Sequence, residues 1–257
     1  MRLMGKSRTK KTNKTMKKFI LCPLVAVLMM LTSCVDINMG KIKPSDVIVE
    51  KEYAMEAFSA IDVDAVANVK FVQSTKDDYR VTLKAPDNYI DFFNFEVEDN
   101  ELNVKFTHNN INIVTKDVQI TIYAPMLKKI ENSGVAGILI EGLKGSLLKI
   151  DNSGVGTLKL KDLSVDRLSA ECSGVGNIKM SGVADKVILN CSGVGSIEAK
   201  DLKARCLKGE VSGVGGIECQ ATDTLKATVS GVGALKYAGN PKSTSLHRTG
   251  IGNISEL

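Results

Sequence analysis

Tryptophan is absent from this 257-residue chain, which has five tyrosines and seven phenylalanines. A core must therefore come from aliphatic side chains packed in layers. Histidine is almost missing too: His108 and His247 are the only two, and no C-x-x-C occurs. That pattern excludes a zinc knuckle and gives no metal site or resident cofactor to expect. Gly239-Asn240-Pro241-Lys242-Ser243 lacks the glycine a phosphate loop needs before its lysine. The glycine-rich corners described next carry no aspartate, unlike calcium-binding nonapeptide turns. The excess of positive charge is also illusory. The chain is +5 overall, but eight of its basic residues lie in residues 1–18. After Cys34 there remain 26 basic against 29 acidic residues, a balance of −3, so no nucleic-acid partner is expected.

What the chain does have is a refrain. Ser-Gly-Val begins at Ser133, Ser153, Ser173, Ser192, Ser212 and Ser230, and Thr249-Gly250-Ile251-Gly252 closes the series. The steps are 20, 20, 19, 20, 18 and 19 residues, the mark of a solenoid. Apolar residues recur three before Ser (Ile130, Ile150, Ala170, Leu189) and five after (Ile138, Leu158, Ile178, Ile197). Others recur seven after (Ile140, Leu160, Met180). Alternation of this kind predicts strands with one buried face. A further corner is expected near Leu143, Leu163, Val183 and Leu202. One such unit cannot bury its own face, but stacked units can. The predicted fold is all-β, a parallel β-helix of about 19–20 residues per coil. The first glycine of every corner is expected to need positive φ, and the second, Ala136 in copy one, only a small side chain. The valine between them is expected to form an interior ladder.

The first 34 residues read as an address. The basic start leads into Phe19–Leu31, an apolar run broken by Pro23 and ending in Leu31-Thr32-Ser33-Cys34. Basic, apolar and small-residue segments in that order make a secretory signal. The run is short for a membrane span, which needs ~20 residues. Leu-Thr-Ser-Cys resembles the lipobox of bacterial lipoproteins, which implies lipidation of Cys34 after cleavage. The expected organisation is a signal peptide over 1–33, a lipid-anchored tether over 34–50 and one folded domain over 51–257. That domain divides into an irregular part, 51–125, and regular repeats, 126–254. Asp64-Ala65-Val66-Ala67-Asn68-Val69-Lys70-Phe71 reads as a faded repeat, so the stack begins near residue 57. Asp99-Asn100 predicts a hairpin turn, and Pro86–Phe92 a short helical turn.

Phe58-Ser59-Ala60-Ile61, Thr121-Ile122-Tyr123-Ala124-Pro125-Met126-Leu127, the repeated corners and Tyr237-Ala238-Gly239-Asn240-Pro241 together resemble the head GIN domain family, described as putative auto-transporter adhesins. The resemblance spans about residues 55–254. It implies a right-handed β-helix of a kind common in envelope lipoproteins, and it implies no catalytic residues; the expected location is the cell envelope, lipid-anchored on the outer membrane.

The candidate chemistry lies in columns. Two before each Ser stand Glu131, Asp151, Glu171, Asn190 and Glu210, and four before stand Lys129, Lys149 and Lys208. Stacked, these make an acidic column beside a basic one. It is either a solvated face with weak pairs or a charged surface for a glycan, a divalent cation or an envelope protein. Six after Ser run Lys159, Lys179, Glu198, Glu218 and Lys236, whose blocks of sign suggest compensation between coils. Cys172 and Cys191 both precede a Ser and should stack inside, which allows a disulfide as well as a pair of buried thiols. Cys219 should also face inward and Cys206 outward. A serine repeated in every corner reads as structural, bonding the backbone, so no catalytic triad is expected.

Two functions compete. One is an envelope-anchored, non-catalytic scaffold or adhesin-like binding module, whose partners are a membrane through its lipid, a glycan or envelope protein, and an end-to-end homodimer through the open last coil. The other is a polysaccharide-active lyase or glycosidase, with a groove near Asp87, Asp91, Glu96 and Glu98.

Overall fold

The alternation seen between the corners runs through them without a break. With Ser as zero, every odd position from five before to seven after faces inward and every even one faces out. Leu148, Ile150 and Asn152, then Leu158 and Leu160, are buried in one coil, and Leu168, Ala170, Cys172, Ile178 and Met180 repeat the set in the next. A computed structural model describes residues 40–107, 111–112 and 117–257. The signal segment, Cys34 and His108 lie outside the described residues. Successive coils pair in parallel and in register: Ile130 on Ile150, Leu158 on Ile178, Val194 on Val214. The result is a β-solenoid of about six turns.

That unbroken parity corrects two expectations. The corner valines do file one above another, Val135–Val155–Val175–Val194–Val214, but they stand at an even position and face water. From Val135 to Val232 they are between 47% and 59% exposed, and Ile251 is 87% exposed. The column is an outer ridge, not an interior ladder. The glycines fall at the odd positions, on the tight inside of the bend. The first glycine is not the one with positive φ; Gly156 and Gly176, second in their corners, have φ 151° and 149°. The first is required by closeness: a Cβ on Gly174 would lie 2.1 Å from the Gly154 carbonyl oxygen. The next bend also shifts by one residue. Gly182, not Val183, stacks between Leu163 and Leu202, which leaves Val183 exposed.

Chain order and stack order differ at the N-terminal end. Ala60–Asp64 and Val66–Gln73 form a coil beneath Lys129–Asn132 and Val135–Glu141. The coil below that one comes later in the chain, from Glu101–Phe106 and Gln119–Ala124. Antiparallel strands then cover its edges: Arg80–Pro86 pairs with Gln119–Ala124, Ile48–Ala54 with Arg80–Pro86, and Phe93–Glu98 with Glu101–Phe106. Residues 48–50 of the expected tether therefore already belong to a strand. Asp99 and Asn100 turn the last hairpin with φ 49° and 65°, and a 3-10 helix spans Asp87–Phe92. Buried Phe58, Tyr89 and Phe93 fill this end, hiding its interior and its strand edges. At the other end the last coil places Thr244 and Arg248 in columns held elsewhere by Leu225 and Val229, a polar closing layer.

Candidate functional site

Two outward faces carry chemistry, one on each side of the corner ridge. On the first, the acidic column is in register: Asp62 lies under Glu131, then Asp151, then Glu171. Asn190 interrupts it before Glu210, so Glu210 is not brought together with the other three. Lys129 serves the lower part, with its Nζ 2.9 Å from both Glu131 and Glu101. Both carboxylates hold the Lys129 ammonium charged well above its usual range. Ser133 Oγ donates to Asp62 Oδ1 at 2.8 Å. Asp151 is less well served: its Oδ1 is shielded from water and accepts no hydrogen bond. Desolvation, with Glu171 and Glu131 above and below it, raises its affinity for a proton. Asp62 is raised as well, chiefly by burial. Lys208 reaches Glu210 at 3.7 Å. Among the described residues no group of three His, Cys, Asp or Glu is placed to hold a metal ion. The face is a ladder of half-buried carboxylates, each at its own level.

The second face is a trough. Its floor is the column four after Ser, made of small or polar residues: Asn68, Gly137, Thr157, Asn177, Ser196 and Gly216. The valine ridge runs beside it, two residues earlier along each strand. The column six after Ser runs along the other side as a wall, with Lys70, Leu139, Lys159, Lys179, Glu198 and Glu218 in order. Beside Gly137 a groove of about 460 Å³ is lined by Asn68, Lys70, Gln119, Thr121, Leu139, Thr157 and Lys159 among others. The missing side chain makes the space: a Cβ on Gly137 would meet only Asn68 Oδ1, at 3.1 Å. Higher up the wall, charges pair between coils, Lys179 with Glu198 at 2.8 Å and Lys236 with Glu218 at 3.5 Å. The acidic column was legible in the sequence; the groove was not, because Gln119 and Thr121 reach it from a coil that enters the stack out of chain order.

Inside the solenoid, the column one before Ser reads Asn132, Asn152, Cys172, Cys191, Val211, Val229. Asn132 Nδ2 donates to Asn152 Oδ1 at 2.7 Å, while Asn132 Oδ1, fully buried, accepts nothing. Cys172 and Cys191 sit in register on adjacent coils as free thiols. The Cys191 thiol and the Asn152 amide both favour a thiolate on Cys172, and Cys191 is correspondingly held protonated. Cys219 is buried, and burial pushes its thiol up to about 12. Cys206 is half-exposed. Asp87, Asp91, Glu96 and Glu98 are all exposed, and none lines the groove beside Gly137.

Comparison with known proteins agrees with this architecture. The family described as "Putative auto-transporter adhesin, head GIN domain" matches residues 57–241. A putative adhesin from Bacteroides fragilis is 34% identical, with a TM-score of 0.81 over 84% of this chain and 100% of that one. A putative lipid binding protein from Parabacteroides distasonis is 23% identical, with a TM-score of 0.66 over 84% of this chain and 99% of that one. A putative adhesin from Parabacteroides merdae is also 23% identical, with a TM-score of 0.62 over 85% of this chain and 99% of that one. These last two share the fold. No curated protein matches the chain.

Proposed function

The chain belongs to the head GIN domain family of putative auto-transporter adhesins, and from that membership we propose that it is a non-catalytic, adhesin-like binding module held at the cell envelope. One observation carries the reading. Its outward side chains form columns with one residue per coil, so like groups repeat along a line instead of converging on a point. Hydrolysis or elimination on a sugar needs two or three groups around one bond. Repetition along a line suits an extended partner, such as a glycan chain or the surface of another envelope protein. Leu31-Thr32-Ser33-Cys34 supports attachment through a lipid on Cys34, on the outer membrane. The carboxylates Glu131, Asp151, Glu171 and Glu210 offer one binding face and the trough the other. An end-to-end homodimer would have to use the last coil, where Leu246 is exposed between polar Thr244 and Arg248.

Cells expressing the full chain test the proposal. They should adhere to immobilised glycans or envelope preparations, and a labelled fatty acid should mark the protein but not its Cys34→Ala variant. Turnover of a polysaccharide by the purified chain, with no adherence, would refute it.

A further inference from the structure

We propose that the groove beside Gly137 binds a linear, anionic polysaccharide. This rests on the adhesin-like reading and gives it a ligand class and a place. The argument begins with charge. Along the wall of the trough, Lys70, Leu139 and Lys159 follow one another, and Lys159 makes no ion pair among the described residues. Lys70 is half-exposed and only 3.9 Å from Glu141, a distant pairing that a closer anion would outcompete. Two cations therefore stand two coils apart, roughly 10 Å, with an apolar residue between them. Farther along the same wall Lys179 and Lys236 are neutralised by glutamates, so within this column the spare positive charge lies at this end.

The floor supplies the second element. Gln119 brings an amide and Thr157 a hydroxyl to the floor, and Thr121 adds a hydroxyl on the wall side, in line with Lys70. A polymer of hydroxylated rings presents donors and acceptors at a repeat close to one ring per coil. The Leu139 side chain offers apolar surface to the C–H face of a ring lying between the lysines. A carboxylated or sulfated sugar meets all of these at once. An acyl chain would offer no hydrogen bond to the Gln119 amide or to the Thr121 and Thr157 hydroxyls. An added strand finds no free edge, since Val135–Glu141 is already paired on both sides.

The test uses the full chain and polygalacturonate, with neutral dextran as the comparison. Polygalacturonate should bind and dextran should not, and the affinity should fall as salt rises. Lys159→Glu should weaken binding by about tenfold or more, the worth of one charge-assisted contact. Gly137→Leu should do the same by filling the groove, with an unchanged melting temperature showing that the fold is intact. Lys226→Glu, in the column of Lys208 on the other face, carries the same charge change and should leave affinity within about twofold of wild type. Equal loss in all three variants would mean diffuse attraction and overturn the site. Beads coated with the chain separate the two levels of inference. If they adhere to glycan surfaces and polygalacturonate does not compete, the groove is wrong and the adhesin reading stands. If they adhere to nothing, both fall.

Discussion

Replacing Gly174 by alanine puts one methyl group where two coils nearly touch. Its Cβ would lie 2.1 Å from the Gly154 oxygen and 2.4 Å from the Ser153 oxygen, more than 1 Å inside ordinary contact. Both obstacles are backbone, so the coil has to lift. Lifting stretches three hydrogen bonds: Ser173 and Gly174 N–H to Asn152 O at 3.1 and 2.9 Å, and Val175 N–H to Gly154 O at 3.0 Å. At ~0.5–1.5 kcal/mol for each of the three bonds, plus ~1–3 kcal/mol for overpacking, the cost is about 2.5–7.5 kcal/mol. For a domain of this size that is a fall of roughly 5–30 °C in Tm. Gly250→Ala makes a similar clash, 2.4 Å from Gly231 O, but no coil lies above it. That coil can rise, so the loss should be less than half as large. Val175→Thr, on the exposed ridge, should change stability by under about 1 kcal/mol. Calorimetry on the three variants decides the matter. A Gly174→Ala protein as stable as wild type, or no worse than Gly250→Ala, would refute the close-approach account of the corners.

Three further outcomes follow from the interior and the acidic face. Asn152→Val alone removes the acceptor for Asn132 Nδ2 and should cost about 1–3 kcal/mol. Asn132→Val with Asn152→Val continues the column in the manner of Val211 and Val229, and chemical denaturation should show most of that loss recovered or reversed. Asp151 has a raised folded-state proton affinity, so its ionised form penalises the fold at neutral pH and the penalty fades as pH falls toward the ordinary value of 3.8. Asp151→Asn should therefore raise Tm at pH 7 and converge with wild type below pH ~4; a gap that widens in acid would contradict the environment described. In the native chain a thiol reagent should label Cys206 first, while Cys172, Cys191 and Cys219 react only on unfolding.

The sequence carried the period, the register and most of the interior columns, because each coil repeats the same local pattern. It misled at the corners. Valine at the bend looks like core by identity, yet it stands an odd number of residues from Leu158 and Ile178 and so must face out. Its neighbours in the bend are glycines because parity turns them inward where there is no room. The reversed order of the first two coils was illegible for a different reason. Leu102 and Val104 read as a strand, but nothing local says which strand they will lie beneath. The Asn132–Asn152 ladder could have been found, since both residues occupy the position assigned to Cys172 and Cys191.

The displaced first coil divides the molecule into a foundation and an extension. Residues up to 124 must be present before the lowest layer exists, whereas from residue 129 onward each turn lies on one already in place. Duplication of a twenty-residue segment within the regular coils would lengthen the rod by one storey and leave both ends as they were. Such a protein can adjust its reach through evolution as a ladder gains rungs, without redesigning what it stands on.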